Sequence, residues 1–191
     1  MPPFVEKSRT LRVGNPERYR LCVLSDTHGR PHPNLLDLVA GERPHAMLHA
    51  GDVGEMLVLD ELQSIAPVLA VRGNMDARST GMPEALRVTL RHNDTEILGI
   101  YLTHVAVYGA RLQTSVHRAA SDAQADLVVC GHSHVPLIVR SKELAVFNPG
   151  SCGPRRYGLP ITYGMLELTE DGARMRHVDC ETGDRWRPPS S

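Results

Sequence analysis

Between residues 19 and 73 short apolar runs alternate with amphipathic segments, and this alternation restricts the fold more than any other feature of the chain. "YRLCVLS", "HAMLHAG" and "PVLAVRG" are short, apolar and bounded by turn residues, which predicts strands, whereas "NLLDLVAGE" and "EMLVLDELQSI" have the spacing of amphipathic helices. A β-α-β-α-β order calls for parallel strands joined by crossovers. The later sequence is richer in strands. "EALRVTLRHNDTEILGIYLTH" predicts a hairpin turning at Asn93 and Asp94, and "ARLQTSVHRAASDA" predicts a helix. "DLVVCG", "PLIVRS" and "LAVFNPG" follow as strands, and "ITYGMLELTEDGARMRHVDC" as a closing hairpin turning at Asp171 and Gly172. One parallel sheet cannot use so many strands. The expected class is therefore α/β, a four-layer β-sandwich of two mixed sheets flanked by helices.

No internal repeat or low-complexity linker divides the 191 residues, so a single domain is expected over 19–184. Residues 1–18, with Pro2, Pro3 and Pro16, predict an irregular arm, and 185–191, "RWRPPSS", a loose tail. A formal net charge of -1 gives no long-range attraction to nucleic acid or anionic lipid, so phosphate recognition has to be local. No apolar run reaches the roughly 18 residues of a membrane span, and the N-terminus lacks the apolar centre of a signal peptide. A cytoplasmic protein with neither membrane nor long nucleic acid as partner is expected. Cys22, Cys130, Cys152 and Cys180 are scattered without a C-x-x-C pair and predict buried free thiols.

The chemistry collects where the predicted strands end. These turns read Ser25-Asp26-Thr27-His28, Gly51-Asp52, Gly73-Asn74-Met75-Asp76, Thr103-His104 and Gly131-His132-Ser133-His134. In open α/β sheets ligands bind beyond the carboxyl ends of the strands, so the turns should converge. Residues i and i+2 of extended backbone share a side, which would let Asp26 and His28 reach one ion and would turn His132 and His134 to one site. Each turn alone suits a cap or a bend. Together they supply two carboxylates, one amide oxygen and four imidazoles, too many donors for one ion. Two ions sharing Asp52 would use them, and the set suits manganese, iron or zinc better than calcium. His32, His45, His92, His117 and His177 are expected to be solvated, and His49 to pack beside the site.

With these blocks in view, "SDTHG", "HAGDVG", "RGNMD", "LTH" and "GHSHVP", the sequence resembles the calcineurin-like metallophosphoesterase superfamily, and its small bacterial and archaeal phosphodiesterases in particular. The resemblance spans roughly residues 20–164 and implies the metallophosphoesterase fold. It places one ion on Asp26, His28, Asp52 and His134, and a second on Asp52, Asn74, His104 and His132. It implies a metal-dependent hydrolase that splits small phosphodiesters by attack of a metal-bridging hydroxide, with Asp52, Asn74 and His104 acting through that hydroxide. Two divalent ions are the implied cofactors, manganese first, with iron, zinc or nickel as alternatives.

Met75 stands where many members of the superfamily carry a histidine that assists the leaving oxygen, a thioether that cannot donate a proton. Val105 and Ala106 replace a glycine and a second histidine common in relatives. Asp76 is expected to support the site, and Arg155 and Arg156 to contact substrate phosphate. The alternative from another class is a binding scaffold of the same fold, against which the complete donor set weighs. A nuclease fits the balanced charge poorly. The edge strands of the sandwich or the N-terminal arm offer a contact for a homodimer.

Overall fold

The computed structural model describes residues 4–141, 143–169 and 172–188. Its strands run, in chain order, β1 (Glu6–Arg12), β2 (Arg20–Leu24), β3 (Ala46–His49), β4 (Val68–Ala70), β5 (Ala85–His92), β6 (Thr95–Thr103), β7 (Val107–Tyr108) and β8 (Arg111–Leu112). They continue as β9 (Leu127–Val129), β10 (Leu137–Val139), β11 (Ala145–Asn148), β12 (Thr162–Thr169), β13 (Gly172–Asp179) and β14 (Arg185–Trp186). The helices are α1 (Leu35–Glu42), α2 (Leu57–Gln63) and α3 (Thr114–Asp122). One six-stranded sheet has the order β1-β5-β6-β9-β11-β10, the other β14-β13-β12-β2-β3-β4, and β7 and β8 form a separate ribbon. Both large sheets are mixed. β2, β3 and β4 are parallel, as the early alternation requires, and β12 joins them antiparallel.

Side-chain alternation accounts for the layering. Within β2, Leu21 and Val23 enter the core between the sheets, while Cys22 and Leu24 pack outward with Leu35 and Val39 of α1 and Leu59 and Leu62 of α2. Across the sandwich, Ile100 and Leu102 of β6 face that same inner core, and Tyr101 faces the outer layer that holds Ala120 of α3. Strands buried on both faces read as continuous apolar runs, which is why "LCVL" and "LVV" lack polar alternation. The result is helix, sheet, sheet, helix. All four cysteines are buried and free. Among the described residues no helix is long and apolar enough to cross a membrane.

Both ends of the chain correct the sequence reading. The supposed irregular arm contains β1, which pairs in parallel with β5 from Glu6↔Ala85 to Arg12↔Arg91. Its residues are exposed apart from a half-buried Leu11, so no apolar period betrays it and the backbone ladder with β5 holds it in place. Lys7, Arg9 and Arg12 discourage pairing of this edge with another strand. At the other end Arg185 and Trp186 are not loose but form β14 against β13, with the Trp186 ring 5.7 Å from His177. The helix read from "ARLQTSVHRAASDA" begins only at Thr114, because Arg111 and Leu112 pair with β7. The hairpin at Asn93 and Asp94 forms as read; that of β12 and β13 pairs Thr169 with Gly172, and Asp171 lies outside the described residues.

Phe147 of β11 spans the gap between the sheets and presses its ring onto Gly164 of β12, where an added Cβ would come within 2.4 Å of the ring edge. Gly164→Ala should therefore overpack the sandwich and cost about 1–3 kcal/mol. A lowered urea midpoint with an unchanged m-value is the expected result.

Candidate metal centre

Each chemistry-bearing turn follows the carboxyl end of a strand. The first three leave β2, β3 and β4 of one sheet, and the last two leave β6 and β9 of the other, so the site lies across the end of the sandwich. Backbone bonds fix the turns to one another. Asp26 N–H donates to Gly51 O at 3.0 Å, His28 N–H to Asp52 O at 2.9 Å, and Gly131 N–H to His104 O at 3.0 Å. The two sheets meet where the His132 amide donates to Asp26 Oδ2 at 3.0 Å.

The geometry corrects one step of the sequence argument. Asp26 (φ 56°), His28 (φ 50°), Asp52 (φ 52°), His132 (φ 66°) and His134 (φ 59°) all adopt left-handed backbone and not the extended conformation from which their common facing was inferred. Left-handed non-glycine residues cost on the order of 1–3 kcal/mol each and cluster at functional sites. The space between turns is as tight as the backbone. A Cβ on Gly131 would lie 1.8 Å from Ser25 Oγ, and one on Gly73 would lie 2.2 Å from Asp52 Oδ1.

Two donor groups result, each with ligand atoms within 4.8 Å of one another: Asp26, His28 and His134, and Asp26, Asp52 and His104. Asp26 is the member they share. The Ser25 hydroxyl, at 2.6 Å, and the His132 amide occupy Asp26 Oδ2, leaving Oδ1 buried and without a hydrogen-bond partner. His134 Nε2 approaches that oxygen at 3.2 Å and His28 Nε2 at 3.9 Å, while the two imidazole nitrogens lie 3.3 Å apart. In the other group the Met75 amide donates to Asp52 Oδ1 at 2.8 Å, and Asp52 Oδ2 stands 3.4 Å from His104 Nε2. His104 Nδ1–H donates to Ala50 O at 2.7 Å, which orients Nε2 inward. The orphaned Asp26 Oδ1 and His104 Nε2, with lone pairs converging on one small volume, fit divalent ions bound by oxygen and nitrogen.

Charge follows from these contacts. Burial raises the Asp52 carboxyl, but the close approach of His104 and the hydrogen bond from the Met75 amide outweigh it and bring it down to about 2. Asp26 is likewise lowered, burial being outweighed by the close approach of His134, by the charge of His104 and by the hydrogen bond from Ser25. Burial lowers His28 and so favours its neutral form; in His104 burial acts the same way, but the close Asp52 and Asp26 carboxylates raise it.

Of the remaining predicted residues, His132 is exposed with its ring 5.2 Å from His104. Asn74 is exposed in the turn between Gly73 and Met75. Asp76 is buried and accepts the amides of Gly73 at 2.8 Å, Gly54 at 2.9 Å and Val53 at 3.2 Å, so it fastens the β4 turn to the β3 turn. Arg155 is committed to Glu181 and the Leu159 carbonyl. Arg156 is exposed, and its charge contributes to the lowering of His28.

His177, expected to be solvated, is 5 % exposed, and its Nε2–H donates to Asn148 O at 2.8 Å. Asn148 in turn donates from Nδ2 to Gly131 O at 2.8 Å and to Ser133 Oγ at 3.1 Å, bracing the turn that carries His132 and His134. The sequence reading passed over Asn148, Ser151 and Thr27. Their signal lay in "NPGS" and in the threonine between Asp26 and His28, polar residues at strand ends where bends alone do not require them. His49, by contrast, packs beside the site as read: Gly51 N–H donates to its Nδ1 at 3.3 Å, so its Nε2–H donates to Thr27 Oγ1 at 3.1 Å. Thr27 Oγ1 then donates to Val53 O at 2.9 Å.

A sandwich of two mixed sheets with carboxylates and imidazoles gathered on its strand-end turns is the architecture of the metallophosphoesterase fold. The calcineurin-like phosphoesterase superfamily domain matches residues 19–171, and the chain belongs to that superfamily. A probable metallophosphoesterase of Methanocaldococcus jannaschii is 33% identical over 169 residues, covering 83% of this chain and 80% of that protein. The phosphodiesterase YfcE of Escherichia coli is 28% identical over 166 residues, covering 78% of this chain and 87% of its own. A solved structure of that phosphoesterase superposes with a TM-score of 0.64 at 25% identity over 88% of this chain and 97% of the other. Vps29 of Entamoeba histolytica, solved with zinc, shares the fold at a TM-score of 0.70 and 21% identity, over 87% and 96% of the two chains. The relatives named phosphodiesterase and metallophosphoesterase place the chain among the hydrolases of its superfamily.

Burial brings His49 down to about 4 from the usual 6.5. A histidine depressed in the folded state contributes stability above pH 6.5 that is lost as pH falls through 6.5 toward about 4. With chelator present, the urea midpoint of the wild type should fall between about pH 7.5 and about pH 4.5, and His49→Gln should flatten that fall. An equal fall in both proteins would show that His49 does not titrate in this window.

Proposed function

We propose that this protein is a dinuclear-metal phosphoesterase whose preferred substrates are small phosphodiesters. The observation that carries the reading is the pair of donor groups joined at Asp26, in which outer hydrogen bonds occupy Asp26 Oδ2, Asp52 Oδ1 and His104 Nδ1 and leave Asp26 Oδ1 and His104 Nε2 unpartnered. Asp26, His28, Asp52 and His134 would hold one ion, and Asp52, Asn74, His104 and His132 the other. When bound, such ions lower the pKa of water, orient phosphoryl oxygens and offset the charge that develops in the transition state. Manganese is the first choice on donor chemistry, with iron, zinc or nickel as alternatives.

The chain's own residues divide the remaining work. Ser25 and the His132 amide keep Asp26 from rotating, and the Ala50 carbonyl fixes the His104 tautomer, so the donors are ordered before any ligand arrives. Arg156 supplies positive charge beside His28 for a non-bridging phosphate oxygen. Beside Asn74 the 70 % exposed Met75 side chain offers no proton, which favours substrates with good leaving groups. The retained donor set supports an enzyme over the binding scaffold, which would need neither the free lone pairs nor the strained turns.

Hydrolysis of bis-p-nitrophenyl phosphate should disappear when the protein is stripped with chelator, return with manganese, and exceed hydrolysis of the p-nitrophenyl monoester. Absence of turnover with manganese, iron, zinc and nickel alike would overturn the reading. Asp52→Asn removes a ligand charge and should lower diester turnover by more than about 100-fold and weaken metal retention measured by elemental analysis. Met75→His should raise turnover of alkyl esters by about tenfold or more while changing p-nitrophenyl esters little. Equal gains for both leaving groups would show that no missing acid limits the rate.

A further inference from the structure

Among the described residues Tyr157 is the most exposed of the large apolar side chains, at 97 %. Leu159 N–H donates to Arg156 O at 2.9 Å, and Tyr157 (φ 52°) and Gly158 (φ 70°) between them both have positive φ, which defines a type I′ turn. The first central position of such a turn favours asparagine, aspartate or glycine, and a bulky aromatic residue there is strained. Tyr157 therefore occupies an unfavourable backbone and contributes no burial in return. Nothing in the stability of the fold accounts for it.

The turn is held firmly, on a loop rooted at the metal centre. Arg155 donates to Leu159 O at 2.9 Å and pairs with Glu181, which closes the base of the loop. Its root is bound to the first turn of the centre: Ser151 Oγ donates to Asp26 O at 2.9 Å, and Cys152 N–H to Ser25 O at 3.2 Å. Gly153, between that root and the tyrosine, lies against the carbonyls of Asp26 and Thr27, where an added Cβ would come within 2.4 and 2.6 Å. Two more exposed apolar side chains adjoin predicted ligands in the chain, Val135 beside His134 and Met75 beside Asn74. Single exposed apolar residues are ordinary, but these two border ligand positions of the centre to whose first turn the Tyr157 loop is tied.

We propose that Tyr157 is a stacking platform that gives the site a preference for phosphate esters carrying a planar aromatic group, a nucleobase or an aryl ring. The phosphate would lie at the centre, and the ring would lie on the rigidly held tyrosine. This rests on the phosphoester reading of the site, but it concerns binding and is testable without turnover.

Affinities of the manganese-loaded protein for thymidine 5′-phosphate, phenyl phosphate and ethyl phosphate, measured by calorimetry, separate the contributions. Base–aromatic stacking predicts about tenfold tighter binding of at least one aromatic ester than of ethyl phosphate. Preference for the nucleotide would identify a nucleobase as the stacked group, and preference for phenyl phosphate a ring held nearer the phosphorus. Y157N, which suits the left-handed position, should erase the preference, and Y157F should keep it. Equal affinity for all three esters, or a preference that survives Y157N, would overturn the proposal. A preference that depends on Tyr157 in a protein that hydrolyses no ester would refute the catalytic reading and leave the stacking site standing.

Discussion

Asp26 ties the two sheets together at the end that carries the chemistry. Its amide binds the β3 turn through Gly51 O, and its own carbonyl accepts the Ser151 hydroxyl. Its Oδ2 accepts the amide of His132, on the turn that leaves β9 in the opposite sheet. One residue thus fixes the relative position of turns that the sequence separates by more than a hundred residues, and it does so while keeping Oδ1 free. A buried carboxylate with three of its polar groups committed to the scaffold cannot move without loosening both sheets. The precision of the centre is therefore a property of the sandwich, since no local loop could supply it.

Left-handed backbone at five of the predicted ligands shows what this precision costs. Each turn has to reverse a strand within one or two residues and still project its side chain into the centre, and ordinary strand or helix geometry does neither. The strain is offset by contacts outside the centre: Asp76 collects three amides, Asn148 braces the His132–His134 turn, and His177, packed between Phe147 and Trp186, holds Asn148. Trp186 belongs to β14, so even the short C-terminal strand contributes to the support of a turn at the site. The same logic explains the glycines beside the ligands, where a single methyl group would collide with Ser25 or Asp52.

The sequence was most legible where burial imposes a period. β2, β3 and β4 could be read because strands covered on both faces leave continuous apolar runs, and the five polar turns because polar residues interrupt those runs at fixed places. β1 could not be read, since it is held by a backbone ladder and buries little more than part of Leu11. His177 was misread for a related reason. Alternation places its side chain beside Phe147 in space, but only the pairing of β13 with β14 closes that environment, and neither local propensity nor charge announces the pairing. The common facing of Asp26 and His28 was inferred correctly through incorrect backbone geometry, because spacing constrains which residues can meet more tightly than it constrains the φ angles that bring them together.

Charge balance completes the physical argument for a cation. Asp26 is 0 % and Asp52 5 % exposed, and both are held below the usual carboxylate range, so both remain ionised at neutral pH. Among the described residues their ion-pair partners are histidines alone, with no lysine or arginine within salt-bridge distance. Neutral imidazoles would leave two buried negative charges uncompensated, at a cost of several kcal/mol each. Protonated imidazoles would compensate them, but they would be pressed against one another, with His28 and His134 nitrogens 3.3 Å apart. Burial further disfavours a proton on His28. Divalent cations resolve both conflicts at once, because they neutralise the carboxylates and accept the imidazole lone pairs that protonation would consume. The buried carboxylates and imidazoles thus have the charge and donor chemistry of a site for divalent metal.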